Sequence, residues 1–138
     1  MDSEAIAHLI LLALFEGGNE YWSSEYLNYG AQSLVERISQ GEYADYKKSG
    51  YKLASAVREL NPELLHEQMV ASQAFLITRH DSDWPVSLDD LKAPPIALIG
   101  RGARTALLSV RESLSIVGTR NPSDYGHQSC RRFCSRCG

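Results

Sequence analysis

The sequence predicts an α/β chain: a helical module over residues 1–73, then the beginning of a parallel-sheet domain over 74–138 that stops incomplete. Three observations predict it. Up to Gln73, apolar residues recur at helical spacing between short Gly and Asn breaks. Beyond Gln73 they gather into continuous runs of strand length. The third such run meets a glycine and then a helix-start signal, as in a strand–turn–helix unit.

The helices come first. Ser3 is placed to cap a helix running to Phe15, with Ile6, Leu9, Ile10, Ala13 and Leu14 on one face. Glu16-Gly17-Gly18-Asn19 breaks it. A second helix runs from Ser23 or Ser24 to Tyr29 and ends at Gly30. A third spans Ala31 to Ser39, with Leu34, Val35 and Ile38 inward, and Gly41 stops it. A fourth is expected over Tyr43 to Leu60, against a cost of roughly 1 kcal/mol for a glycine inside a helix, here Gly50. Asn61 and Pro62 start a fifth, as cap and first residue, which runs to about Gln73. Its apolar stripe is Leu64, Leu65, Gln68 and Met69. Tyr21, Trp22, Tyr26, Tyr29, Tyr43, Tyr46 and Tyr51 share this module with Lys47, Lys48 and Lys52. Such a set can stack bases and touch phosphates. The acidic character of the module favours core and rim instead.

The strand region follows. Ala74 to Thr78 is the first strand, and Arg79 to Asp83 a polar loop. Trp84-Pro85 leads into a short helix near Val86 to Leu91, and Ala93-Pro94-Pro95 forms a rigid extended linker. Ile96 to Ile99 is the second strand, ended by Gly100-Arg101-Gly102. Ala106 to Val110 is a helical turn or a loop, and Leu114 to Val117 is the third strand. Gly118 ends it and lets a ligand approach the backbone, having no Cβ. Asn121 and Pro122 then open a helix, or Ser123 caps it, and Asp124 suits its positive end. With Arg120 at the junction, the pattern makes a site for an anion, most naturally a phosphate.

Composition narrows the function. The longest apolar run, Leu9 to Phe15, is too short to span a membrane, and no basic region precedes it. A cytoplasmic protein is expected. The net charge of −3 is unevenly spread. Residues 1–100 hold 7 Lys/Arg against 15 Asp/Glu, a net −8, and residues 101–138 hold 7 Arg against 2 acids, a net +5. Arginine suits bidentate phosphate contacts, so the second segment modestly supports a polyanionic partner. His8, His66, His80 and His127 show no metal spacing, and no Walker A loop or nucleophile–base pair is present. Neither a metal, a cofactor nor an enzymatic reaction is expected.

The string Gly118-Thr119-Arg120, then Ser123, then Tyr125-Gly126, resembles the G-[ST]-R-x-x-[ST]-x-Y-G signature of the DprA/Smf family of bacterial DNA-processing proteins. Phe75-Leu76-Ile77-Thr78, Asp83-Trp84-Pro85 with Leu88, and Pro94-Pro95 are similar to the segment that precedes it in that family. The resemblance covers residues 74–126; residues 1–73 match only as a loosely similar helical region. It implies a Rossmann-like domain that runs on past residue 138, so the chain is expected to be truncated. It also implies single-stranded DNA binding and loading of a RecA-type recombinase in natural transformation, through binding and without chemistry. A homodimer is implied for the full-length protein only. The implied DNA- and phosphate-binding residues are Gly118, Thr119, Arg120, Ser123, Tyr125 and Gly126. Gly118 would admit the phosphate, Thr119 and Ser123 would donate hydrogen bonds, Arg120 would supply the charge, and Tyr125 would pack behind the loop. Arg101, Arg104 and Arg111 lie outside the signature and are expected to be solvated surface.

Two other resemblances are weaker. Phosphoribohydrolases of the lysine-decarboxylase-like type also bind phosphate at a strand–helix junction, but their P-G-G-x-G-T motif and its Glu are missing. Cys130, Cys134 and Cys137 have the C-x3-C-x2-C spacing of radical S-adenosylmethionine enzymes, but only Gly138 follows, leaving no residues for a barrel. The cysteines are either the buried face of a helix, with Phe133, or part of a tail that departs from the ancestral reading frame.

Overall fold

The computed structural model describes residues 2–15, 18–46, 50–105, 123–126, 128 and 131. Five helices precede two strands among them: α1 (Ser3–Leu14), α2 (Glu20–Tyr29), α3 (Ala31–Ser39), α4 (Gly50–Glu59), α5 (Pro62–Ala71), β1 (Ala74–Ile77) and β2 (Leu98–Arg101). The mixed helix-and-strand class matches the expectation.

The helix starts show which signals act locally. Asn61 Oδ1 accepts from the Leu64 N–H at 3.1 Å, and Pro62 sits in the first turn, as expected. Asn19 is a cap rather than loop. Its Oδ1 accepts from the N–H groups of Tyr21 (3.1 Å) and Trp22 (3.3 Å), so α2 begins at Glu20, ahead of Ser23. Ser3 lies inside α1, with Asp2 at the cap position. The fourth helix is shorter than its periodicity suggests. Residues 41–45 form turns, and α4 starts at Gly50. A Cβ on Gly50 would meet the backbone carbonyl of Tyr43 and come within 2.8 Å of the Ala44 carbonyl oxygen. Gly50 therefore allows a close approach of two backbone segments, which a helix-propensity argument does not detect.

The core lies among α1, α2 and α3. Leu11, Ala31, Leu34 and Ile38 are its most enclosed members, with Ala7, Trp22, Tyr26 and Tyr43 around them. Phe15 stacks on Trp22 with centroids 4.3 Å apart. Burial of His8 is made possible by two partners. The Glu4 carbonyl can only accept, so Nδ1 donates to it (2.8 Å), and Nε2 accepts from the Tyr26 hydroxyl (2.9 Å). Tyr43 donates its hydroxyl proton to Glu25 Oε2 at 2.5 Å, and burial together with that bond pushes its pKa up to about 12.

The later part of the chain packs onto these helices. Ile96 enters the same core, and the buried Ser23 hydroxyl donates to the Pro94 carbonyl at 2.6 Å. That use of Ile96 moves the second strand along to Leu98–Arg101. Gly102, with φ 96°, turns the chain just after it.

The parallel sheet is not what these strands form. β1 and β2 pair antiparallel, Ala74 opposite Arg101 and Ile77 opposite Leu98. A parallel pair needs a crossover, usually an α-helix laid over one face. The connection here holds only a 3₁₀ helix, Val86–Asp90, and tight turns tie its start to the end of β1. The third expected strand, Leu114 to Val117, and the turn or loop at Ala106 to Val110 lie outside the described residues.

Candidate nucleic-acid interface

The chain leaves β2 through a side-chain clasp centred on Arg104. Its guanidinium forks onto Asp83, Nε to Oδ2 at 2.5 Å and Nη2 to Oδ1 at 2.8 Å. Nη2 also lies 3.0 Å from Asp81 Oδ1, and Nη1 donates to the Leu76 carbonyl at 3.4 Å. The Phe75 ring sits beneath it, with the centroid 5.6 Å from the guanidinium carbon. Asp81 is itself held from the other side: its Oδ2 accepts from the Thr78 N–H (2.7 Å) and the Thr78 hydroxyl (2.9 Å). Arg104 therefore joins β1, the loop after it and the exit from β2.

The electrostatics follow from that geometry. The Arg104 hydrogen bonds hold the Asp83 carboxyl below the usual carboxylate range. For Asp81, burial pushes the pKa up, but the Thr78 and Arg104 bonds outweigh it and the result is also lowered. Arg104 is raised in turn, chiefly by its bond to Asp83. The expectation that Arg104 is solvated surface is corrected. The charge match could be seen in the sequence, but only the antiparallel pairing brings these residues together. Trp84 is buried and donates Nε1–H to Asp89 at 3.0 Å, and Asp89 also pairs with Arg79 at 3.1 Å. Asp83-Trp84-Pro85 thus closes a structural corner.

Of the expected DNA-binding residues, Gly118, Thr119 and Arg120 lie outside the described residues, while Ser123, Tyr125 and Gly126 lie within them. Ser123 precedes a helical turn at 124–126, and its Oγ accepts from the Gly126 N–H at 3.3 Å. It is the cap, the second of the two assignments open from the sequence. The bond uses a lone pair of the oxygen and does not occupy the hydroxyl proton. Tyr125, in the first turn, is 81% exposed; the loop behind which it is expected to pack lies outside the described residues.

Residues 75–137 match the family model described as DNA recombination-mediator protein A. The match supports the DprA/Smf family for this segment. No curated protein and no solved structure shows a significant match to the chain. The DprA/Smf segment includes the Arg104 clasp, the Trp84 corner and the whole string from Gly118 to Gly126.

The aromatic residues ahead of the DprA/Smf segment are largely occupied in packing. Trp22, Tyr26 and Tyr43 are buried, and Tyr21 stacks on Tyr46 with centroids 4.2 Å apart. Tyr29 lies under the Arg37 guanidinium at 4.1 Å. Lys47 and Lys48 lie outside the described residues. Among the described residues no helix is long and apolar enough to cross a membrane.

Proposed function

We propose that this chain binds single-stranded DNA in recombination-linked DNA processing and transformation, and presents the strand to a RecA-type recombinase in the cytoplasm. The observation that carries the reading is the DprA/Smf match across the segment that contains Gly118-Thr119-Arg120, Ser123 and Tyr125-Gly126. Residues 74–138 are inferred to open a Rossmann-like domain, and residues 1–73 to form a helical module ahead of it. The strand is held by binding alone. Gly118 admits a backbone phosphate, Arg120 forks onto its oxygens, and Thr119 and Ser123 donate to it. Ser123 supports this, because its cap bond does not occupy the hydroxyl proton.

The test is a salt titration of the 138-residue chain with labelled oligothymidylate, read by fluorescence anisotropy. A phosphate contact on a single strand contributes about 0.7 to the slope of log affinity against log salt. Arg120→Ala is expected to weaken binding of all base sequences alike and to lower the slope by about 0.7. Arg120→Lys recovers part, since lysine keeps the charge and loses the fork. Arg101→Ala is the control; Arg101 is exposed and has no side-chain partner among the described residues. Unchanged affinity and slope for Arg120→Ala would refute the reading.

A further inference from the structure

A cavity of about 410 Å³ lies between the end of α2 and the turn that follows β1. Tyr26, Leu27 and Gly30 form one wall, and Arg79 and His80 form the other. The turn is firmly built. The Asp81 N–H donates to the Thr78 carbonyl at 3.0 Å, which makes Arg79 and His80 the two central residues of a β-turn. The Asp81 side chain also fastens Thr78, and Arg104 holds Asp81 in place. Arg79 and His80 are therefore presented from a braced loop. Arg79 keeps one ion pair, its Nη2 lying 3.1 Å from Asp89 Oδ2. Its Nε and Nη1 have no partner among the described residues, and neither has the His80 ring. None of these lining residues is acidic, although residues 1–100 carry a net −8.

We propose that this cavity binds a nucleoside phosphate, with the phosphate on Arg79 and His80 and the base along Leu27. The chemistry of the two walls selects that class. A guanidinium held at one end by a carboxylate still offers N–H donors that match the oxygens of a phosphate. Imidazole adds a donor from one ring nitrogen even when neutral. On the opposite wall Leu27 is 51% exposed, and Tyr26 offers only its ring, because its hydroxyl is occupied by His8. A Cβ at Gly30 would meet nothing within 4 Å, so the space beside it is open. A sugar phosphate would set hydroxyls against Leu27, whereas a base sets a flat, largely apolar face there. The volume lies within the range of small-ligand sites, roughly 300–1,000 Å³. The ligand is a free nucleotide or one unit of a strand, and the chemistry is common to both. Nothing in this cavity depends on the DNA-binding reading above.

The 138-residue chain is titrated with dTMP and with thymidine, followed by amide NMR and calorimetry. dTMP is expected to shift the amide signals of Leu27, Gly30, Arg79 and His80 to saturation. Thymidine lacks the phosphate and should bind about 10- to 150-fold more weakly, the range of a hydrogen bond to a charged group. Leu27→Glu puts a carboxylate into the cavity, where it competes for Arg79 and His80 without removing the Arg79–Asp89 pair. It should abolish dTMP binding and leave the thermal melt unchanged, since Leu27 is exposed. His80→Ala removes an exposed side chain and should weaken dTMP but not thymidine. Arg101→Ala, on β2 and outside the cavity, should bind as the parent does. Equal affinity for dTMP and thymidine overturns the proposal. So does dTMP binding that both Leu27→Glu and His80→Ala leave intact, or no dTMP binding at all. Oligothymidylate then separates the sources. If it displaces dTMP from these signals, the site takes a unit of a strand; if it does not, the site takes a free nucleotide, and either result supports the cavity as the site.

Discussion

Replacing Gly50 by alanine sets two physical effects against each other. Helix propensity alone favours the change by up to about 1 kcal/mol, because glycine loses the most backbone freedom on folding. The gain is smaller at the first residue of α4, where Gly50 sits. Against it stands the space at that position. The added methyl would meet the Tyr43 carbonyl and lie 2.8 Å from the Ala44 carbonyl oxygen. Both are backbone atoms, so no side-chain rotation relieves the contact, and residues 43–44 or α4 must shift. Tyr43 is a poor place to yield, since it is buried in the core and bonded to Glu25. Overpacking of this kind costs about 1–3 kcal/mol. The net expectation is destabilisation by about 1–2 kcal/mol. For a chain of this size that is a fall in Tm of roughly 3–8 °C. Thermal unfolding followed by circular dichroism measures it, and urea unfolding gives the same sign through the midpoint. A Tm equal to or above that of the parent would refute the reasoning, because propensity would then have outweighed the close approach.

Further expectations concern the two polar networks. Tyr26→Phe removes the proton that His8 Nε2 accepts and leaves a buried acceptor without a partner, so a loss of about 1–3 kcal/mol is expected in urea unfolding; a change near zero would show that the bond contributes nothing net. The Arg104 clasp should appear as pH dependence. Asp81 and Asp83 have lowered pKa values in the folded state, so their contribution is present above the unfolded carboxylate value, near pH 4, and is lost as the pH falls through the folded values. The parent Tm should fall with pH below about 4, and Arg104→Ala should flatten that fall; parallel curves would rule out the clasp as its source.

Much of the fold is determined by signals that act over a few residues, and those are legible in the sequence. Asn61-Pro62 starts α5, the periodicity of Leu34, Val35 and Ile38 marks α3, and Ala74 to Ile77 is apolar over a strand's length. The string from Gly118 to Gly126 likewise points to the DprA/Smf family from its residue types, and the matching family model spans it. Other features are decided by partners that sequence spacing does not identify. Arg104 bonds to residues 21 and 28 positions away, and only the antiparallel register places it there. Ile96 suits a strand but is drawn into the helical core, which displaces β2. Gly50 looks like a defect in a long helix until the carbonyls it faces are known. The physical reason is common to these cases. Caps and periodicity depend on neighbours along the chain, whereas strand direction, ion-pair choice and steric fit depend on which distant segments share a surface.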